Sequence, residues 1–125
     1  MDIKLQKYSE KDYPGVLQLI KSEGEEWEQY TIPEYKINLE KCITHIALVN
    51  EKIVGYIRSW DDYGQFICVL DLLVHKDYRG YKIGKMLLNT VQEEYPKMEV
   101  YILSDNNEYY KKLGYKVEGS IFKIV

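Results

Sequence analysis

The chain has 125 residues, of which 46% are hydrophobic and 30% charged. That length closes around one core of ordinary size, and the composition excludes a disordered tail or a collagen-like repeat. Seventeen Lys and Arg against twenty Asp and Glu leave a net charge of −3, which argues against binding nucleic acid or an anionic membrane through bulk charge.

Ile3 and Leu5 alternate with polar neighbours and predict a short first strand. Ser9, followed three residues later by Asp12, predicts a helix start. Val16, Leu17 and Ile20 then give one helical face, and Gly24 is its stop. A second helix is expected from Pro33 through Tyr35, Ile37 and Leu39 to Lys41. The connector between them, Glu23 to Tyr30, is acidic and aromatic. Thr44 to Val49 and Lys52 to Trp60 read as strands joined by a tight Asn50-Glu51 hairpin, and a turn at 61–64 leads into Phe66 to Val74. This nearly continuous apolar run fits a central strand covered on both faces. Ile83, Leu87, Val91 and Tyr95 recur every fourth residue and predict an amphipathic helix stopped near Pro96. Glu99 to Leu103 reads as a strand and Asn106 to Leu113 as a short helix. Tyr115 to Val125 reads as two strands turning at Gly119-Ser120. The order β-α-α-β-β-β-α-β-α-β-β, with no repeats or linkers, predicts one mixed α/β domain over residues 1–125.

Cys42 and Cys68, His45 and His75 are isolated from one another at any metal-ligand spacing, so no metal site is expected. The first dozen residues are rich in charge and give no apolar leader. The longest apolar run, Phe66 to Leu70, is too short to cross a bilayer. A reduced, cytoplasmic protein is the expectation.

Arg79-Gly80-Tyr81-Lys82-Ile83-Gly84-Lys85 lies between the apolar strand and the amphipathic helix, where free backbone N–H groups and the helix dipole favour an anion. Gly80 and Gly84 permit close approach, and Arg79, Lys82 and Lys85 supply charge for phosphate oxygens. A glycine-containing strand-to-helix turn with solvated charges is the alternative. A P-loop needs one more residue between its glycine and the Gly-Lys pair and a Ser or Thr after them. Here Met86 follows Lys85, and the dinucleotide GxGxxG is absent.

The run from Leu72 to Lys85, followed by Leu87-Leu88, resembles the acetyl-CoA-binding motif of the GNAT superfamily of N-acetyltransferases. Tyr110-Lys111-Lys112-Leu113-Gly114-Tyr115 resembles that family's second hallmark, and the element order matches along nearly the whole chain. The resemblance implies a mixed, mostly antiparallel central sheet with splayed central strands and flanking helices. It also implies direct acetyl transfer from acetyl-CoA to a primary amine within a ternary complex, in a monomer or homodimer. The cofactor residues it implies are Leu72, Leu73, Val74, Arg79, Gly80, Tyr81, Lys82, Ile83, Gly84, Lys85, Asn106 and Tyr110. Lys82 stands where the family usually has glycine; a positive φ there would cost lysine about 1–2 kcal/mol, and the expectation is instead a helical backbone with the side chain toward solvent or a CoA phosphate.

Tyr110 matches the family's general acid, a donor to the departing thiolate, with packing of the short helix as the alternative role. Asp71 interrupts an apolar strand and is the candidate base; a structural role stands equally, and Glu26 or Glu28 acting through water are alternatives. On the acceptor side, Glu26, Trp27, Glu28, Tyr30, Trp60 and Tyr63 suit an ammonium group, and so a small cationic amine or a peptide amine. A solvated acidic loop is the plainer reading of those residues. A CoA-binding or partner-binding module without turnover is the second functional reading. Of the thirteen tyrosines, most are expected to pack a ring and leave the hydroxyl wet.

Overall fold

The computed structural model describes residues 1–125 as β1 (Ile3–Lys7), α1 (Tyr13–Glu23), α2 (Tyr35–Lys41), β2 (Ile43–Val49), β3 (Lys52–Asp61), β4 (Phe66–Val74), α3 (Ile83–Glu94), β5 (Glu99–Ile102) and α4 (Asn107–Lys112). A 3-10 turn leads into α1, another forms the α1–α2 connector over Glu25–Tyr30, and a third follows β4. The strands form one open sheet in the order β1-β2-β3-β4-β5, antiparallel except for the parallel β4–β5 pair.

Local chemistry accounts for the boundaries. Ser9 donates from N–H and Oγ to Asp12 Oδ2 at 2.9 and 3.2 Å, closing a capping box ahead of α1. Gly24 ends that helix at φ 95°, a conformation that suits glycine. Asn50 and Glu51 both take positive φ, the requirement of a two-residue hairpin whose twist matches its strands. The second helix starts at Tyr35, with Pro33 in the turn before it, and buries Tyr35 and Leu39 while Ile37 faces solvent.

Two apolar layers cover the sheet. Val16, Leu19, Ile20, Leu39, Ile46, Tyr56 and Leu73 join α1 and α2 to one face. Ala47, Val54, Ile57, Ile67, Val69, Ile83, Leu87 and Val91 join α3 to the other. At Gly55 a side chain would meet Ile83, Leu87 and the Leu73 carbonyl, each at 3.3 Å, so the missing Cβ lets α3 settle onto β3.

The feature that shapes the centre is a bulge in β4. Arg58 pairs with Asp71 but Ser59 pairs with Val69, so Leu70 is a supernumerary residue. Side chains change face there: Ile67 and Val69 enter the α3 layer, whereas Asp71 and Leu73 face α1 and α2. Pairing to β5 ends at the same point, since the ladder closes at Val69 with Ile102 and Leu103 N–H donates to Val69 O at 2.8 Å. Beyond it β4 runs on to Val74 without a partner on that side.

The chain after α4 departs from expectation. Residues 115–125 form no strands, and Ile121, Phe122 and Ile124 are 72%, 90% and 98% exposed. Their apolar content satisfies the local pattern of a strand, but a strand also needs a neighbour for its backbone groups, and none is paired here.

Candidate functional site

The turn after β4 ends in a helix start whose first backbone donors are unpaired. The first helical bond of α3 runs from Met86 N–H to Lys82 O at 3.0 Å, leaving the amides of Ile83, Gly84 and Lys85 free at the positive end of the helix. Gly80 takes φ 92°, and Tyr81 and Lys82 are exposed beside it. Ile83, expected at the cofactor, buries its side chain in the α3 layer and offers only its amide. Lys85 Nζ reaches the Tyr115 hydroxyl at 3.3 Å and lies over that ring.

Lys82 corrects a prediction. Its backbone is left-handed, φ 65° and ψ 22°, not helical, because the chain must reverse sharply from the turn into the helix. A Cβ in that conformation costs about 1–2 kcal/mol, partly offset by the lower entropy of an unfolded lysine chain. Lys82→Gly is therefore expected to raise stability by about 0.5–1 kcal/mol, read from the midpoint of urea unfolding at unchanged m-value.

The splay provides the second half of the site. His75 N–H donates to Val54 O, so alternation turns the backbone groups of Leu73 and His75 toward β3 and those of Leu72 and Val74 toward the open side. Leu73 is thus not part of the exposed edge; its side chain is buried under α1 and α2. Across the gap, α4 is capped by Asn106, whose Oδ1 accepts from Tyr109 N–H at 3.3 Å. Tyr109 and Tyr110 pack edge to face with centroids 5.1 Å apart. A Cβ on Gly84 would collide with the Tyr109 hydroxyl and lie 3.8 Å from Leu72. The Leu72 side chain, the helix start and the Tyr109 hydroxyl therefore meet at Gly84, and Tyr110 joins them through its packing on Tyr109. Burial, then the neighbouring Asp105, pushes the Tyr110 phenol well above its ordinary value, keeping it protonated at neutral pH.

Asp71 stands one residue past the bulge, and one oxygen of its carboxylate holds two donors. Its Oδ2 accepts from Arg58 Nε at 2.5 Å and from the Tyr35 hydroxyl at 2.6 Å, and Tyr35 in turn meets the Tyr56 hydroxyl at 2.9 Å. All four residues are buried. Burial and the adjacent carboxylate push the Tyr35 phenol far up. Burial opposes the Arg58 charge, but Asp71 outweighs it and the guanidinium is held charged. Arg58, Tyr35 and Tyr56 were not foreseen from sequence. The available signal was that an acid inside an apolar strand requires a partner, and Arg58 is the one base within the apolar stretch of β3.

The acceptor-side residues fall into two groups that the structure does not bring together. Trp27 and Tyr30 pack on the α1–α2 layer, Trp27 being 5.1 Å from Tyr30 and 6.4 Å from Tyr56, and Tyr30 5.1 Å from Tyr35. They reach the Asp71 network through those rings, and Glu26 and Glu28 are exposed beside them. Trp60 and Tyr63 lie at the far end of β3 and in the turn beyond it. There β4 is still paired to β5, and Tyr63 is 85% exposed.

The class of fold is a mixed α/β sheet whose two parallel strands part beside a glycine-lined helix start. The family model described as an acetyltransferase (GNAT) domain matches residues 40–117, and the chain belongs to that family. An uncharacterised N-acetyltransferase, Ycf52, of Pyropia yezoensis is 28% identical over 99 residues, covering 71% of this chain and 57% of that protein. The chain thus spans little more than half the length of the curated relatives it matches. Among solved structures, an aminoglycoside acetyltransferase from an uncultured soil metagenomic sample superimposes with TM-score 0.76 at 23% identity, covering 100% of this chain and 99% of that one. The PaiA N-acetyltransferase of Thermoplasma acidophilum, solved with coenzyme A, gives TM-score 0.75 at 19% identity over 97% and 94%. These likenesses establish the fold. No helix is long and apolar enough to cross a membrane, and no group of His, Cys, Asp and Glu is arranged to hold a metal ion.

Proposed function

We propose that the chain binds acetyl-CoA in the splay between β4 and β5 and transfers the acetyl group directly to a primary amine. One observation carries this reading: the free amides at the start of α3, Leu72 on the open edge of β4, and the Tyr109 hydroxyl of α4 meet at Gly84. The residues fit the cosubstrate. The helix start suits a diphosphate, the strand edge suits the amides of a pantetheine arm, and at Gly84 a side chain would collide with the Tyr109 hydroxyl. When bound, the thioester supplies the activated acyl group.

In this reading Tyr110 faces the departing sulfur. With its phenol raised, it acts by donating a hydrogen bond rather than by surrendering its proton outright. Asp71 is held in place by a guanidinium and a phenol, both bonded to its Oδ2. It orders the apex of the splay, and the amine proton leaves through Glu26 or Glu28 and water. Exposed carboxylates beside Trp27 and Tyr30 favour a small cationic acceptor, by charge and by the ring faces.

Calorimetric titration with acetyl-CoA should give saturable 1:1 binding, and a CoA-release assay across an amine panel should find at least one acceptor. Absence of saturable binding overturns the proposal. The engagement of Asp71 favours, as a second reading, a CoA-binding module without turnover; binding with no release on any amine would select it.

A further inference from the structure

Arg79 does more than open the phosphate turn. Its Nη2 donates to both carboxylate oxygens of Glu23 at 2.7 Å, and its Nε donates to the carbonyl of Val74 at 3.0 Å. Each partner occupies a separate part of the fold. Val74 is the last residue of β4, and its carbonyl lies on the open edge of the splay. Glu23 is the last residue of α1 and is followed immediately by Gly24 and the Glu25–Tyr30 connector. One guanidinium therefore fastens the cofactor edge, the phosphate turn and the root of the acceptor-side segment. A guanidinium has five donors in a rigid plane. The clamp uses Nε and Nη2, and Nη1 keeps both of its N–H groups for a ligand oxygen.

The geometry points to Glu23 as a positioning residue that couples occupancy of the cofactor turn to the order of the acceptor connector. This inference rests on the acetyl-CoA reading above. In the free protein Arg79 is half exposed and held by Glu23, whose side chain is only 18% exposed. A phosphate meeting Nη1 immobilises Arg79, and the bidentate pair carries that immobilisation into the end of α1. Gly24, at φ 95° and with open space around its Cα, makes the root of the connector a compliant joint that such a contact steadies. Ordering on one side then favours binding on the other, and thermodynamic linkage makes the coupling reciprocal.

Hydrogen exchange with and without saturating acetyl-CoA tests this without requiring an identified acceptor. In the wild type, acetyl-CoA should slow exchange at the α3 start and also, by roughly 5-fold or more, in the 24–31 connector. In Glu23→Ala the α3 start should still be protected while the connector is not. Arg79→Lys, which keeps the charge but cannot hold three groups in one plane, should lose connector protection in the same way, and the double variant should lose no more than either single one. Ligand-dependent connector protection that persists in Glu23→Ala, or that is absent from a wild type which binds acetyl-CoA, overturns the inference and leaves the acetyl-CoA reading intact. A wild type that binds no acetyl-CoA overturns both.

Discussion

Arg58→Leu is expected to cost the fold about 3–5 kcal/mol, because it strands the Asp71 carboxylate between β3 and the α1–α2 layer with only the Tyr35 hydroxyl to hold it. Asp71→Leu should cost a similar amount by stranding the guanidinium. The informative variant is Arg58→Leu with Asp71→Leu. Two charges are then removed together and replaced by apolar volume, and the double variant should be less destabilised than either single one, since the interior no longer holds an uncompensated ion. Urea unfolding at neutral pH measures all three. Equal or additive losses would mean that the pair is solvated and that the buried network is not what holds the apex. If the double variant folds, it also separates the roles of Asp71, because turnover retained without the carboxylate excludes it as the base.

Tyr110→Phe should lower kcat by about 100-fold while leaving the acetyl-CoA dissociation constant within a factor of about two. The ring packs with Tyr109 and against the α3 layer, and phenylalanine preserves that packing, so loss of the hydroxyl alone is tested. The burial that raises the phenol also keeps its proton in place across the neutral range. Turnover in the wild type should accordingly show no acidic or neutral limb attributable to Tyr110. Unchanged kcat in the variant would reduce Tyr110 to a packing residue.

Which parts of this molecule can be read from its sequence depends on how far apart the interacting residues lie. The helical face of α3, the Asn50-Glu51 hairpin and the Ser9–Asp12 cap are set by neighbours within a few positions, and all of them form. The Arg79–Lys85 turn is visible for the same reason. Lys82 is less visible, because its left-handed backbone follows from the angle at which β4 delivers the chain to α3. The two strands expected at residues 115–125 have suitable local patterns but no paired edge. Asp71 signalled by its polarity that it needs a partner, yet neither alternation nor spacing identifies which face it uses, since β4 is covered on both faces and changes phase at Leu70. The Glu23–Arg79 clamp joins residues far apart in the chain and leaves no local trace.

Leu70 has a further consequence for how such a site can change. The residues that surround the apex are interchangeable in principle, since a substitution alters only what stands at a given position. The position itself is set by a count of residues: as long as Leu70 is one more than β3 can match, Ile67 and Val69 before it answer to α3 and Asp71 and Leu73 after it answer to α1 and α2. Substitution can therefore retune the chemistry at the apex, but only an insertion or deletion within β4 can move the apex along the strand.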